Sequence, residues 1–179
     1  MKKTYVMPLL VLTVICLVVS GALAFMNSVT EPLITAAANE RAQTVMTEKI
    51  PDATGFEPVD FTHMEMIPAS IKEIYRTANH VGFIFIAAVN GFSGDITVIC
   101  AVDNSGVIIS TSTLSHTETK GIGTILEQES FLGTFKGVDS NLDGVDTVTG
   151  ATISTRAFIH AINDILTAYE VIVTSFVAH

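Results

Sequence analysis

The segment best suited to chemistry is residues 146–152, which read DTVTGAT and stand directly before a stretch with helical periodicity. Thr149 and Gly150 are turn-forming residues, and Thr152 falls at or near the first helical turn. Unpaired backbone N–H groups and the positive end of the helix dipole favour a phosphate group there. The hydroxyls of Thr149, Thr152 and Ser154 would in addition allow a phosphate ester.

The neighbours of Thr152 fit a modification site. Gly150 and Ala151 lack the bulk that would keep a modifying enzyme away from Thr152. Asp146 does not suit phosphate by charge, so we assign it to orienting the loop or to holding a metal ion during modification. The alternative is that Thr149 or Thr152 simply caps the helix.

A second segment, residues 118–123 (ETKGIG), has two glycines close to a Glu-Thr pair. It is either a loop that lines a cofactor or a solvated surface turn, and the residues alone favour the turn. Glu118, Thr119, Gly121 and Gly123 are its candidate site residues.

Other chemistries have weaker signals. His116 and Glu118 are close in sequence, and His160 and Asp164 lie one helical turn apart, but no third ligand joins either pair, so no metal site is predicted. The pattern G-x-S-x-G is absent from the sequence and Ser154 has no assignable base, so a serine hydrolase is not predicted.

The elements that must position these segments form an α+β domain, with an antiparallel sheet packed against helices. Apolar, β-branched runs at 81–89, 95–102 and 107–114 are separated by turn residues, which predicts an antiparallel meander. A short strand is expected near 71–76. From Ser154 to about residue 177, apolar residues recur on one face, which predicts a long amphipathic helix on the sheet.

The N-terminus predicts a membrane anchor. Residues 4–26 contain no charge and are long enough to cross a hydrocarbon core of about 30 Å. A cleaved signal peptide is the alternative, because residues 22–24 (ALA) resemble a cleavage site. Either way, Lys2 and Lys3 hold the N-terminus in the cytoplasm and place the domain on the extracytoplasmic side.

The predicted organisation is therefore an anchor at 1–26, a connecting helix at 27–50 and a domain at 51–179. Without the two N-terminal lysines, 7 basic residues remain against 18 acidic ones, a net charge of −11. Such a domain repels a phosphate backbone, so nucleic acid is not an expected partner. Cys16 lies in the apolar segment, so Cys100 has no disulfide partner within the domain and is expected to be buried.

DTVTGAT resembles the flavinylation signal D-x-x-[S/T]-G-A-T, in which the last threonine accepts FMN through a phosphodiester. The resemblance extends beyond this motif, to the G subunit of the Rnf ion-translocating ferredoxin:NAD oxidoreductase. The segments that are similar, in the same order, are an apolar N-terminus, NSVTEPLI, GFSGDITVICAVDNSGVI, SHTETKGIGT and FKG. The C subunit of the sodium-pumping NADH:quinone reductase is a related family. The resemblance implies covalent FMN on Thr152.

In the Rnf family, the loop that resembles ETKGIG reads E-T-P-G-L-G and lines the flavin. Here Lys120 replaces the proline and Ile122 the leucine. A cationic group beside the ring would raise the flavin potential. The implied flavin-binding residues are Thr152, Asp146, Thr149, Gly150, Ala151, Glu118, Thr119, Gly121 and Gly123.

The function implied is an electron-relay subunit of a membrane complex, not a stand-alone enzyme. Its implied partners are the polytopic membrane subunits, a second flavinylated subunit, iron–sulfur subunits and a flavin transferase that uses FAD and a divalent metal. Two alternatives stay open: a flavinylated domain that serves another extracytoplasmic reductase, and a binding or assembly module without redox chemistry.

Overall fold

The computed structural model describes most of the chain as two compact units, Met1–Gln43 and Thr44–His179. The residues described are 10–24, 26, 30, 44, 46–50, 52–64, 66–119, 121, 123–139, 142 and 144–177.

In the first unit, residues Leu10–Ala24 form an apolar helix, α1, whose side chains are exposed. Its described length is shorter than the roughly 20 residues that a spanning helix needs. The start of the predicted anchor and most of the predicted helix at 27–50 lie outside the described residues.

The second unit contains one antiparallel sheet with strands in the order β1-β2-β3-β4-β5. The strands are β1 (Phe56–Pro58), β2 (Ile71–Thr77), β3 (Gly82–Asn90), β4 (Asp95–Asp103) and β5 (Ile108–His116). The predicted meander and the short strand before it are confirmed within a residue or two at each end.

After the sheet, the chain forms a short compact segment and then one long helix. The segment has 3₁₀ turns at Gly123–Glu127 and Gly133–Phe135 on either side of a short helix, α2 (Glu129–Leu132). The long helix, α3, runs over Thr152–Val177 and so begins two residues before the predicted start.

Helix α3 packs one face against the sheet. The buried residues on this face are Phe158, Ala161, Ile162, Ile165, Leu166, Ala168, Tyr169 and Ile172. By length and composition α3 is the one described helix that could cross a membrane. Because this face is in the core, we interpret α3 as the central helix of the domain.

The beginning of α3 is anchored by an aromatic cluster. The ring centroid of Phe158 lies 5.4 Å from that of Phe131 and 5.3 Å from that of Phe135. Edge-to-face and tilted contacts at these separations stabilise a core beyond the area they bury. The cluster therefore fixes the end of α3 that contains Thr152.

The compact unit begins ahead of the predicted domain start at residue 51. Met46 and Ile50 are 1% and 3% exposed. Residues 46–49 are helical, and Ile50 donates a backbone hydrogen bond to Met46. The boundary between a connecting helix at 27–50 and a domain at 51–179 stays a prediction.

Cys100 is buried in β4, as expected, and burial raises the pKa of its thiol to about 12. Between the ordinary thiol pKa of about 9 and 12, the unfolded chain loses a proton that the folded chain keeps, so stability falls as pH rises through this window. Guanidinium unfolding should show that the free energy of unfolding decreases between about pH 8 and about pH 10.5, and that this decrease is smaller in Cys100→Ala than in the unaltered chain. An identical decrease in both proteins would contradict the prediction.

Candidate functional site

The approach to α3 is a tight turn that requires glycine. The N–H of Ala151 donates to the carbonyl of Val148 at 3.0 Å, which closes a four-residue turn. Gly150 is the third residue of this turn and has a φ of +89°. A positive φ at this position is characteristic of a type II turn and favours glycine. Gly150 thus directs the chain into the first turn of the helix.

Three hydroxyl side chains lie in the first turn of α3, and two of them are engaged. Ser154 Oγ donates to Glu118 Oε2 at 2.9 Å, and Thr155 Oγ1 donates to the carbonyl of Ala151 at 2.9 Å. Thr155 Oγ1 also accepts from the N–H of Val148. Within the part of the chain that the structure describes, the half-buried Thr152 hydroxyl has no hydrogen bond. Among the described residues, neither the Thr149 nor the Thr152 side chain makes a hydrogen bond that caps the helix.

Glu118 connects the segments around this turn. Its side chain is buried, and Oε1 accepts from the backbone N–H groups of Phe92 at 2.6 Å and Ser93 at 3.2 Å. Its Oε2 accepts from Ser154. A buried carboxylate needs such donors, because an unpaired one would incur a large desolvation penalty. The carboxylate joins the β3–β4 turn to the start of α3.

Gly91 makes this arrangement sterically possible. A Cβ atom built at Gly91 would lie 2.0 Å from Glu118 Oε1 and 2.6 Å from Ile96 Cδ1. The N–H of Gly91 also donates to the carbonyl of Gly94 at 2.8 Å, which closes the turn. Any side chain at position 91 must displace the carboxylate.

We therefore expect Gly91→Ala to destabilise the domain by about 1–3 kcal/mol, since the buried carboxylate loses partners. Chemical denaturation of the full-length chain in detergent measures the loss. Gly133→Ala is the matched control, because the nearest atom to a Cβ there is Glu129 Oε1 at 3.7 Å. Equal stability of the two variants would contradict the role assigned to Gly91.

The described part of the ETKGIG loop folds back onto β5. Gly123 is buried and its N–H donates to the carbonyl of Thr119 at 2.9 Å. Thr119 and Gly121 are exposed, and Thr119 Oγ1 lies 3.1 Å from Ser93 Oγ. Lys120 and Ile122, where this chain departs from the family pattern, lie outside the described residues.

An open cavity of about 270 Å³ surrounds the beginning of α3. Its lining is mainly apolar and consists of Phe92, Gly150, Ala151, Thr152, Ile153 and Ser154. Phe92 is 62% exposed and Ile153 54% exposed. The site thus combines a hydroxyl without a partner among the described residues, a helix N-terminus and two apolar side chains in contact with solvent. The helix N-terminus suits a phosphate group, and the apolar side chains suit an apolar group beside it.

Comparison with known proteins decides which family has this site. Residues 91–167 match the FMN-binding domain family. The chain is 25% identical to the G subunit of the ion-translocating oxidoreductase complex of Methanosarcina acetivorans, over 85% of this chain and 87% of the relative. It is 28% identical to the corresponding subunit of Shewanella piezotolerans, over 90% of this chain and 88% of the relative. Over most of its length the chain is therefore similar to G subunits of ion-translocating oxidoreductase complexes.

The chain is similar to a further G subunit over a shorter range. The G subunit of the proton-translocating ferredoxin:NAD(+) oxidoreductase complex of Clostridium ljungdahlii is 30% identical over 47% of this chain and 51% of that protein. The FMN-binding domain begins at Gly91, so it contains the β3–β4 turn, Glu118 and the start of α3. The family match therefore covers every residue that lines the cavity.

The structure brings together the two segments that the sequence singles out, through the contact between Glu118 and Ser154. Asp146 and Thr149 are exposed in the loop and turn before α3, outside the cavity lining. Phe92 is not among the residues predicted for the site. Its signal in the sequence is an aromatic residue between Gly91 and Gly94, at a turn where no apolar side chain is needed for packing.

A larger open cleft of about 620 Å³ lies between α3 and the strands β2, β3 and β4. There Asp164 Oδ2 accepts from Ser70 Oγ at 2.5 Å and lies 3.3 Å from His160 Nδ1. The predicted spacing of His160 and Asp164 is confirmed. Among the described residues, no cluster of three or more His, Cys, Asp or Glu side chains is placed to hold a metal ion.

Proposed function

We propose that this chain is an electron-transfer subunit that carries FMN on Thr152, in an ion-translocating ferredoxin:NAD oxidoreductase complex of the Rnf type. The observation that supports the proposal most directly is the Thr152 hydroxyl, which has no hydrogen bond in the described structure and lies in the cavity of an FMN-binding domain. Ser154 and Thr155, its nearest hydroxyl neighbours, are occupied by Glu118 and by the carbonyl of Ala151.

The residues present fit the phosphate end of FMN. Attachment from FAD would form a bond between Thr152 Oγ1 and the FMN phosphorus, break the bond between the two phosphates and release AMP, with the hydroxyl proton lost to solvent. The ester would then lie at the N-terminus of α3, where unpaired N–H groups and the helix dipole stabilise its negative charge. Asp146, exposed in the preceding loop, is available to the transferase and its metal ion.

The bound flavin would supply one- and two-electron chemistry. The chain itself would tether and orient the flavin at the surface, because the cavity at the start of α3 is open to solvent. An open site suits a relay whose reactants are neighbouring redox centres. The tether would prevent loss of the flavin on the extracytoplasmic side, which is the side that the two N-terminal lysines predict for the domain.

Purification of the tagged chain from native membranes in a mild detergent tests membership of the complex. We expect polytopic membrane subunits and iron–sulfur subunits to accompany the chain. Thr152→Ala is the matched variant, which should keep these partners but lack flavin. Recovery of flavinylated chain with a different reductase would place the domain in another system, and recovery without flavin would favour a binding module.

A further inference from the structure

Two apolar side chains flank the proposed tether from different elements. Phe92 belongs to the β3–β4 turn, and Ile153 follows Thr152 on α3; both line the cavity. A ligand that covers apolar side chains from two sides of one cavity gains free energy by removing their surface from water. The remaining lining, Gly150, Ala151 and Ser154, is small and leaves the space between them open.

The occupant that fits is the group fixed to Thr152. We propose that Phe92 and Ile153 form the seat of the FMN isoalloxazine ring, and that Glu118 is a positioning residue that holds this seat at a fixed place relative to Thr152. The proposal rests on the attachment of FMN to Thr152. A flat aromatic ring gains from an offset or edge-on contact with a phenyl group as well as from the apolar area that it buries.

Glu118 links the seat to the tether through short, charge-assisted hydrogen bonds. One carboxylate oxygen accepts from the N–H of Phe92 itself at 2.6 Å, and the other accepts from Ser154, two residues after Thr152, at 2.9 Å. Both oxygens are engaged, the side chain is buried, and Glu118 is not among the residues that line the cavity. Glu118 thus acts on the flavin through the position of Phe92.

The test uses the full-length chain, flavinylated in cells and purified in detergent, and measures fluorescence anisotropy decay and iodide quenching of the bound flavin. In the unaltered chain, the ring should tumble with the protein and be shielded on one face. Phe92→Ala should add a fast depolarising component and increase quenching, with the mass of the attached FMN unchanged. Val81→Ala, which removes an exposed side chain outside the cavity lining, is the control and should change neither.

Two Glu118 variants separate positioning from general stability. Glu118→Gln keeps an acceptor for the Phe92 and Ser93 N–H groups and presents an amide to Ser154 Oγ, which can accept as well as donate. It should retain the slow decay, whereas Glu118→Ala should show the fast component at temperatures well below its unfolding midpoint.

A freely rotating ring in the unaltered chain, or the same decay in Phe92→Ala as in the unaltered chain, would overturn the seat. Slow decay in Glu118→Ala would overturn the positioning role. Absence of covalent FMN from the unaltered chain would instead refute the proposed function, so the two failures are distinguishable.

Discussion

Thr152→Ala is expected to eliminate covalent flavin while the domain keeps its fold. The Thr152 hydroxyl is the proposed acceptor of FMN and has no hydrogen bond in the described structure, so its removal breaks no hydrogen bond seen there. The change in unfolding free energy should be within about 0.5 kcal/mol, as for an ordinary surface substitution. Flavin fluorescence of the denatured protein in a gel measures attachment, and thermal unfolding measures stability.

Thr147→Ala is the matched control for this prediction. Thr147 is a threonine of the same loop, at a position where D-x-x-[S/T]-G-A-T specifies no residue type. It should retain full flavin fluorescence, and Thr152→Ser, which keeps a hydroxyl, should retain some. Flavin on Thr152→Ala at the level of the unaltered chain would show that another residue is the acceptor.

Phe158→Ala is expected to produce the largest loss of stability. The Phe158 ring is fully buried against Phe131 and Phe135, and its removal leaves a cavity that the surrounding residues fill only partly. Substitutions of this kind cost about 3–5 kcal/mol, a large share of a total of about 5–15 kcal/mol. Because Phe158 anchors the beginning of α3, the variant should also attach less FMN in cells grown at elevated temperature.

Guanidinium unfolding followed by far-UV circular dichroism measures this loss, with Glu170→Ala as the control. Glu170 is exposed on the same helix, so its substitution should change stability by less than about 0.5 kcal/mol. A cost below about 1 kcal/mol for Phe158→Ala, against the larger loss expected for a buried ring, would mean that the aromatic cluster does not hold α3 in place.

The parts of the fold predicted from sequence are those governed by local rules. The pairing of β3 with β4 follows from two apolar runs separated by Asn90-Gly91, and the buried face of α3 follows from the spacing of its apolar residues. The predicted start of α3 is two residues late, because periodicity alone marks Ser154 as the first helical residue. The turn closed by Ala151 and Val148 instead allows the helix to begin at Thr152.

The long-range contacts of the site could not be predicted in this way. Glu118 forms hydrogen bonds with Phe92 and Ser154, which are 26 and 36 positions away in the sequence. No local pattern specifies those partners. In the sequence Glu118 resembles any member of a polar loop, whereas the fold buries it. In the sequence Phe92 resembles an ordinary residue of a hairpin turn. Its place in the cavity depends on how that turn meets α3, which no local pattern specifies.

The central claim is that Thr152 carries FMN, and the most direct test is mass spectrometry of the full-length chain from its native membrane. Intact mass should show one added FMN less one water. Fragmentation of the tryptic peptide 137–156 should place the added mass on Thr152. An unmodified peptide from cells with an active flavin transferase, or the added mass on another residue, would contradict the account.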